Sequence, residues 1–95
     1  MADEIPNSKK ADDELVIMFI ASLYHIGKSE GVGFMTGARE PQRQAREIGH
    51  MLNDMGGYVL MKSVARRVLA LLQTEGIERR RELEYCWDRI GEWRA

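Results

Sequence analysis

Leu15-Val16-Ile17-Met18-Phe19-Ile20-Ala21, extended by Leu23, Tyr24 and Ile26, decides how this chain must fold. Seven apolar residues in a row cover the whole circumference of a helix, because each residue turns the chain by about 100°. A helix that is apolar all round needs cover all round, or it aggregates. The rest of a 95-residue chain can cover only some of its sides. A second copy of the molecule, or another protein partner, is expected on the side left open.

A chain of this length is one domain with a modest core, burying about 60–70% of its unfolded surface. An apolar fraction of 44% and a charged fraction of 31% exclude wholesale disorder. The net charge of −1 selects no class of partner, but its distribution is uneven. Residues 1–30 carry three basic and six acidic groups, residues 39–81 nine and five, and residues 82–95 two and four. A mildly basic middle therefore lies between acidic ends.

Cys86 stands alone, so there is no disulfide framework and no Cys-x-x-Cys ligand pair. A lone cysteine suits a reducing compartment. The segment before the apolar run has two lysines against Asp3, Glu4, Asp12, Asp13 and Glu14, the wrong sign for a secretory leader. From Leu15 to Ile26 the run is also too short for the ~20 residues a membrane span needs. A cytoplasmic protein without membrane association is expected.

Residues 1–11 are polar, contain Pro6 and have no apolar period, which reads as a flexible N-terminal arm before a single helical domain over 12–95. Asp12, Asp13 and Glu14 place negative charge where a helix start is electropositive, predicting a first helix over about 12–28. Residues 29–40 form a long connection with Gly31, Gly33 and Gly37. Its Val32, Phe34 and Met35 suggest a loop strapped across the core, the alternative being a binding loop. It lacks the spacing of a phosphate-binding loop.

A second helix is expected from Pro41, with Ala45, Ile48, Met51, Leu52 and Met55 on its apolar face and Gly56-Gly57 as its stop. A third, over 58–73, has a stripe of Leu60, Met61, Val64, Val68, Leu71 and Leu72, widened by Val59, Ala65 and Leu69. After Thr74-Glu75-Gly76, a fourth over 77–94 aligns Leu83, Cys86, Trp87, Ile90 and Trp93; a kinked continuation of the third is the alternative. No strand pattern occurs. The expected fold is all-α, a small three- or four-helix antiparallel bundle forming a homodimer through its first helix.

Chemistry-bearing constellations are sparse. Glu47 and His50 form one Glu-x-x-His, but carboxylate-bridged metal bundles use two, and Arg43 and Arg46 oppose a cation there. Ser22 and His25 lack an acidic residue to orient the imidazole, so serine–histidine catalysis is not expected. Cys86 falls on an apolar stripe and reads as buried packing, and Met18, Met51, Met55 and Met61 read as core filler. No catalytic residue, cofactor or metal is assigned, and the protein is not read as an enzyme.

Two surfaces remain. Leu15, Val16, Ile17, Phe19, Ile20 and Leu23 make the expected association face, with Trp93 as a further interface anchor beside Arg89 and Arg94. The competing possibility for Trp93 is that both tryptophans cap the core. The second surface comprises Arg66, Arg67, Arg79, Arg80 and Arg81, an anion or nucleic-acid face. Its bland counterpart is neutralisation by Arg80–Glu84 and Arg81–Glu84 pairs. The expected function is protein–protein association; the alternative is accessory nucleic-acid binding.

Overall fold

The computed structural model describes residues 4–28 and 39–95, with side-chain surroundings from residue 12 and again from residue 40. Three helices and no strands occur among these residues: α1 (Glu4–Lys28), α2 (Arg39–Gln73) and α3 (Arg80–Cys86). The fold is all-α. No described helix is long and apolar enough to cross a membrane. The long connection, whether core strap or binding loop, lies mostly outside the described residues.

α1 begins at Glu4, upstream of the expected start, so most of the segment read as an arm is helical. Pro6 does not prevent this. In the first turn of a helix an N–H has no intrahelical acceptor to lose.

The expected second and third helices are joined in α2, interrupted at one residue. Gly57 has φ 69° and ψ −160°, a conformation essentially restricted to glycine. The chain therefore kinks at Gly57, with one helix ending and the next beginning directly after it. Both halves of α2, 39–56 and 58–73, meet the segment that follows. Trp87 Nε1 donates to the Ala45 carbonyl at 2.8 Å in the first half, and the Trp93 ring meets Tyr58 of the second at 5.7 Å.

The fourth helix is much shorter than its apolar period implies. α3 ends at Cys86, and residues 87–92 form turns. Arg89 (φ 71°) and Gly91 (φ 56°) are left-handed, which no α-helix accommodates. At Gly91 a Cβ would lie 2.3 Å from Asn53 Oδ1 of α2, so a side chain there would displace Asn53 as well as strain the left-handed backbone. Trp87, Ile90 and Trp93 still reach the core, but by successive turns.

One core results. Phe19, Ile20, Leu23 and Ile26 come from α1. Ala45, Ile48 and Leu52 come from the first half of α2, and Met61, Val64, Ala65, Val68, Leu69 and Leu72 from the second. Leu83, Cys86, Trp87, Ile90 and Trp93 close it. Met51, Met55, Val59 and Leu71, assigned to stripes from the sequence, are exposed, so each half of α2 is turned slightly from its expected face.

The end of α1 is fastened to the turn after α2. Arg79 Nε donates to the Gly27 carbonyl at 3.0 Å, a cation on the C-terminal carbonyls of a helix. The Tyr24 hydroxyl donates to Glu75, whose carboxylate also pairs with Lys28 at 3.5 Å.

Candidate functional site

Two exposed surfaces gather the features a binding site needs, while Leu71 and Tyr85 are exposed elsewhere. The first is the outer face of α1. Ile17 and Met18 remain 58% and 62% exposed, enough for most of each side chain to face water, and Leu15 is exposed beside them. Helical spacing joins Ile17 and Met18 to Glu14, Ala21, His25 and Lys28, all exposed, in one stripe. His25 packs its ring against Tyr24 at 5.6 Å.

Several expected interface residues lie elsewhere. Phe19, Ile20 and Leu23 are buried in the chain's own core, and Val16 is half-buried against it. The reason is geometric: on a seven-residue apolar run these four share one side, and α2 takes that side. Trp93 is buried too, edge-on to Trp87 at 5.1 Å, with its Nε1 donating to the Glu84 carbonyl at 3.1 Å. It caps the core and does not stand out as an anchor.

The second surface is a concavity of about 450 Å³ between the second half of α2 and the C-terminal segment. Lys62 and Arg66 form one wall and Arg80 and Arg94 the other, with the exposed ring of Tyr58 among them and the buried Leu69, Leu83 and Trp93 behind. Glu84 is the one carboxylate in its lining. A shallower hollow of about 440 Å³ adjoins it across Tyr58, Lys62 and Arg66 and includes Arg67.

The five expected arginines are thus divided. Arg66 and Arg80 line the concavity, and Arg67 lines its neighbour. Arg79 is turned away to Gly27 and pairs with Glu82 at 3.9 Å. Arg81 is exposed but lines neither hollow. The expected Arg80–Glu84 and Arg81–Glu84 pairs do not form. Among the described residues no carboxylate pairs with Lys62, Arg66, Arg67, Arg80 or Arg94.

Sequence reasoning missed Tyr58, Lys62 and Arg94. The spacing of Tyr58, Lys62 and Arg66, each four residues from the next, could have flagged the first two. Arg94 arrives only because residues 87–92 turn.

Other candidates are accounted for locally. Glu47 accepts a hydrogen bond from Arg43, which also binds Glu40 and holds that carboxyl below its usual range. Among the described residues no three His, Cys, Asp or Glu side chains gather as metal ligands would. Burial pushes the Cys86 thiol up to about 11, against a smaller opposite pull from Arg46, so at neutral pH it is a packed thiol rather than a nucleophile. The chain matches no protein-family model, and no curated protein or solved structure matches it either.

Proposed function

We propose that this protein is a small association module that pairs with a second copy of itself through the outer face of α1. The observation that carries this is the exposure of Ile17 and Met18, side by side on a long helix whose other face is already buried. Two large apolar side chains held in water are a standing cost that a partner relieves, at about 25 cal/mol per Å² covered.

The pattern of the stripe favours another copy over an unrelated chain. Glu14 and Lys28 lie seven residues on either side of exposed Ala21. Two such helices crossing antiparallel at Ala21 bring each Glu14 to the other's Lys28, and the small residue at the crossing lets the backbones approach. A two-fold arrangement makes both contacts twice.

Sedimentation equilibrium tests this over a wide concentration range. The unmodified chain should associate to a dimer, and Ile17→Glu and Met18→Glu should each shift it to monomer with an unchanged circular dichroism spectrum. Glu14→Lys should weaken the dimer by setting like charges against each other. Phe19→Glu, in the core, should unfold the chain instead. A chain monomeric throughout, or a dimer indifferent to Ile17 and Met18, refutes the proposal.

A further inference from the structure

We infer that the concavity between the second half of α2 and the C-terminal segment binds a compact, multiply charged organic anion of the phosphorylated small-molecule class. Four cationic side chains, Lys62, Arg66, Arg80 and Arg94, line one hollow whose sole carboxylate is Glu84. They come from three stretches of chain, and none is paired with a carboxylate among the described residues. Like charges gathered without counterions repel one another, so an anion seated among them removes a cost as well as adding bonds. A single carboxylate would leave most of that charge uncompensated. A phosphate or diphosphate brings at least two charges on closely spaced oxygens, which the planar guanidinium fork matches.

The floor says what else the ligand carries. The exposed ring of Tyr58, beside the nearly buried edges of Leu69 and Trp93, provides a small apolar surface next to the cations. The volume of about 450 Å³ falls within the ~300–1,000 Å³ common for small-molecule sites. An anion with a flat organic part fills both halves of such a hollow, whereas inorganic phosphate fills one.

Two further observations favour a compact ligand over a nucleic-acid strand. On the Gln73 side the positive surface ends, because past Gln73 come Glu75 and Glu78, and Glu78 accepts a hydrogen bond from Gln73 at 3.1 Å. On the other side Arg67 alone extends it, in the adjoining hollow. A strand would need cations that continue along its backbone. Tyr58 is also the one exposed aromatic ring in the lining, enough for a single flat group, whereas a strand needs a series of rings for successive bases.

Titration of the intact chain with adenosine diphosphate tests the site, followed by calorimetry and by tryptophan fluorescence, to which Trp93 in the lining contributes. Saturable one-to-one binding is expected, with inorganic pyrophosphate binding more weakly because it leaves the apolar floor uncovered. Arg66→Gln and Arg80→Gln, both at exposed positions that spare the core, should each weaken adenosine diphosphate about tenfold. Arg43→Gln, whose partners are Glu40 and Glu47, should change nothing. Three results would overturn the inference: no saturable binding of either probe, equal affinity in the Arg66 and Arg80 variants, or much tighter binding of a single-stranded oligonucleotide or of polyglutamate than of the diphosphate.

Discussion

The indole of Trp87 lies directly against Gly49: a Cβ built on that glycine would sit 2.7 Å from Nε1 and 2.8 Å from Cδ1. The same Nε1 donates to Ala45, one turn earlier on α2, so ring and helix are locked by contact and by hydrogen bond together. Trp87 is fully buried, which leaves its ring nowhere to retreat. Gly49→Ala should therefore destabilise the protein, although alanine is the better helix former by about 1 kcal/mol. Overpacking of about 1–3 kcal/mol outweighs that gain. Urea unfolding should show a lower midpoint with an unchanged slope, and a raised midpoint would contradict the close packing described.

Gly57 and Gly76 offer a contrast in pure backbone cost. Both have positive φ, and a Cβ at either would meet nothing within 4 Å, so crowding by neighbours plays no part. Gly57 combines its φ with an extended ψ in a region open almost only to glycine. Gly57→Ala is expected to cost about 1–3 kcal/mol. Gly76→Ala, at the end of α2, should cost nearer 1 kcal/mol. Thermal unfolding of the two variants side by side would reveal a reversed order if the break in α2 were not where the strain resides.

Arg46 ties the first half of α2 to the turn after α3, its Nη1 donating to the carbonyls of Cys86 at 2.8 Å and Asp88 at 3.1 Å. Arg46→Met keeps the aliphatic stem but removes the donor from two partly buried carbonyls. A loss of about 1–3 kcal/mol is expected. Arg46→Lys should recover only part of it, because the lysine ammonium lies one bond nearer the backbone than Nη1 and reaches the two carbonyls less well. Full recovery by lysine, measured by denaturant unfolding, would reduce the role of Arg46 to charge alone.

Cys86 gives the protein an alkaline limit. Its thiol is raised by burial from 9.0 to about 11 and lies 3.6 Å from the Gln42 carbonyl. A pKa raised on folding means the native state holds its proton longer than the unfolded chain does. Stability from this source is complete below pH 9 and declines as pH rises through 11. In Cys86→Ala the slope of stability against pH between those values should flatten, whatever the variant's absolute stability. An identical slope in both proteins would assign the alkaline loss to other groups. At pH 8 a thiol reagent should label the native chain far more slowly than the unfolded one.

Legibility along the chain followed the range of the forces involved. Helical periodicity marked α1 and both halves of α2, because the spacing of Leu23 and Ile26 or of Val64 and Val68 is a local property of the helix. It misjudged the C-terminal stretch for the same reason. Leu83, Cys86, Ile90 and Trp93 keep a helical period, yet Arg89 and Gly91 are left-handed, and the turn is stabilised by contacts with Asn53 and Ala45 far away in sequence. Pairing of charges misled in a similar way. Arg80 and Glu84 have the right spacing to neutralise each other, but Arg80 lines a hollow that also takes in Lys62 and Arg94.

From the order of residues alone came the helical class, the glycine at which α2 breaks, and the surplus of apolar surface on the first helix. Those follow from side-chain hydrophobicity and backbone sterics, which act between near neighbours. Which of Val16 to Leu23 turn inward, where Trp93 ends, and which cations share a hollow were decided by tertiary packing. Such choices depend on distances between segments tens of residues apart, and no local pattern encodes them.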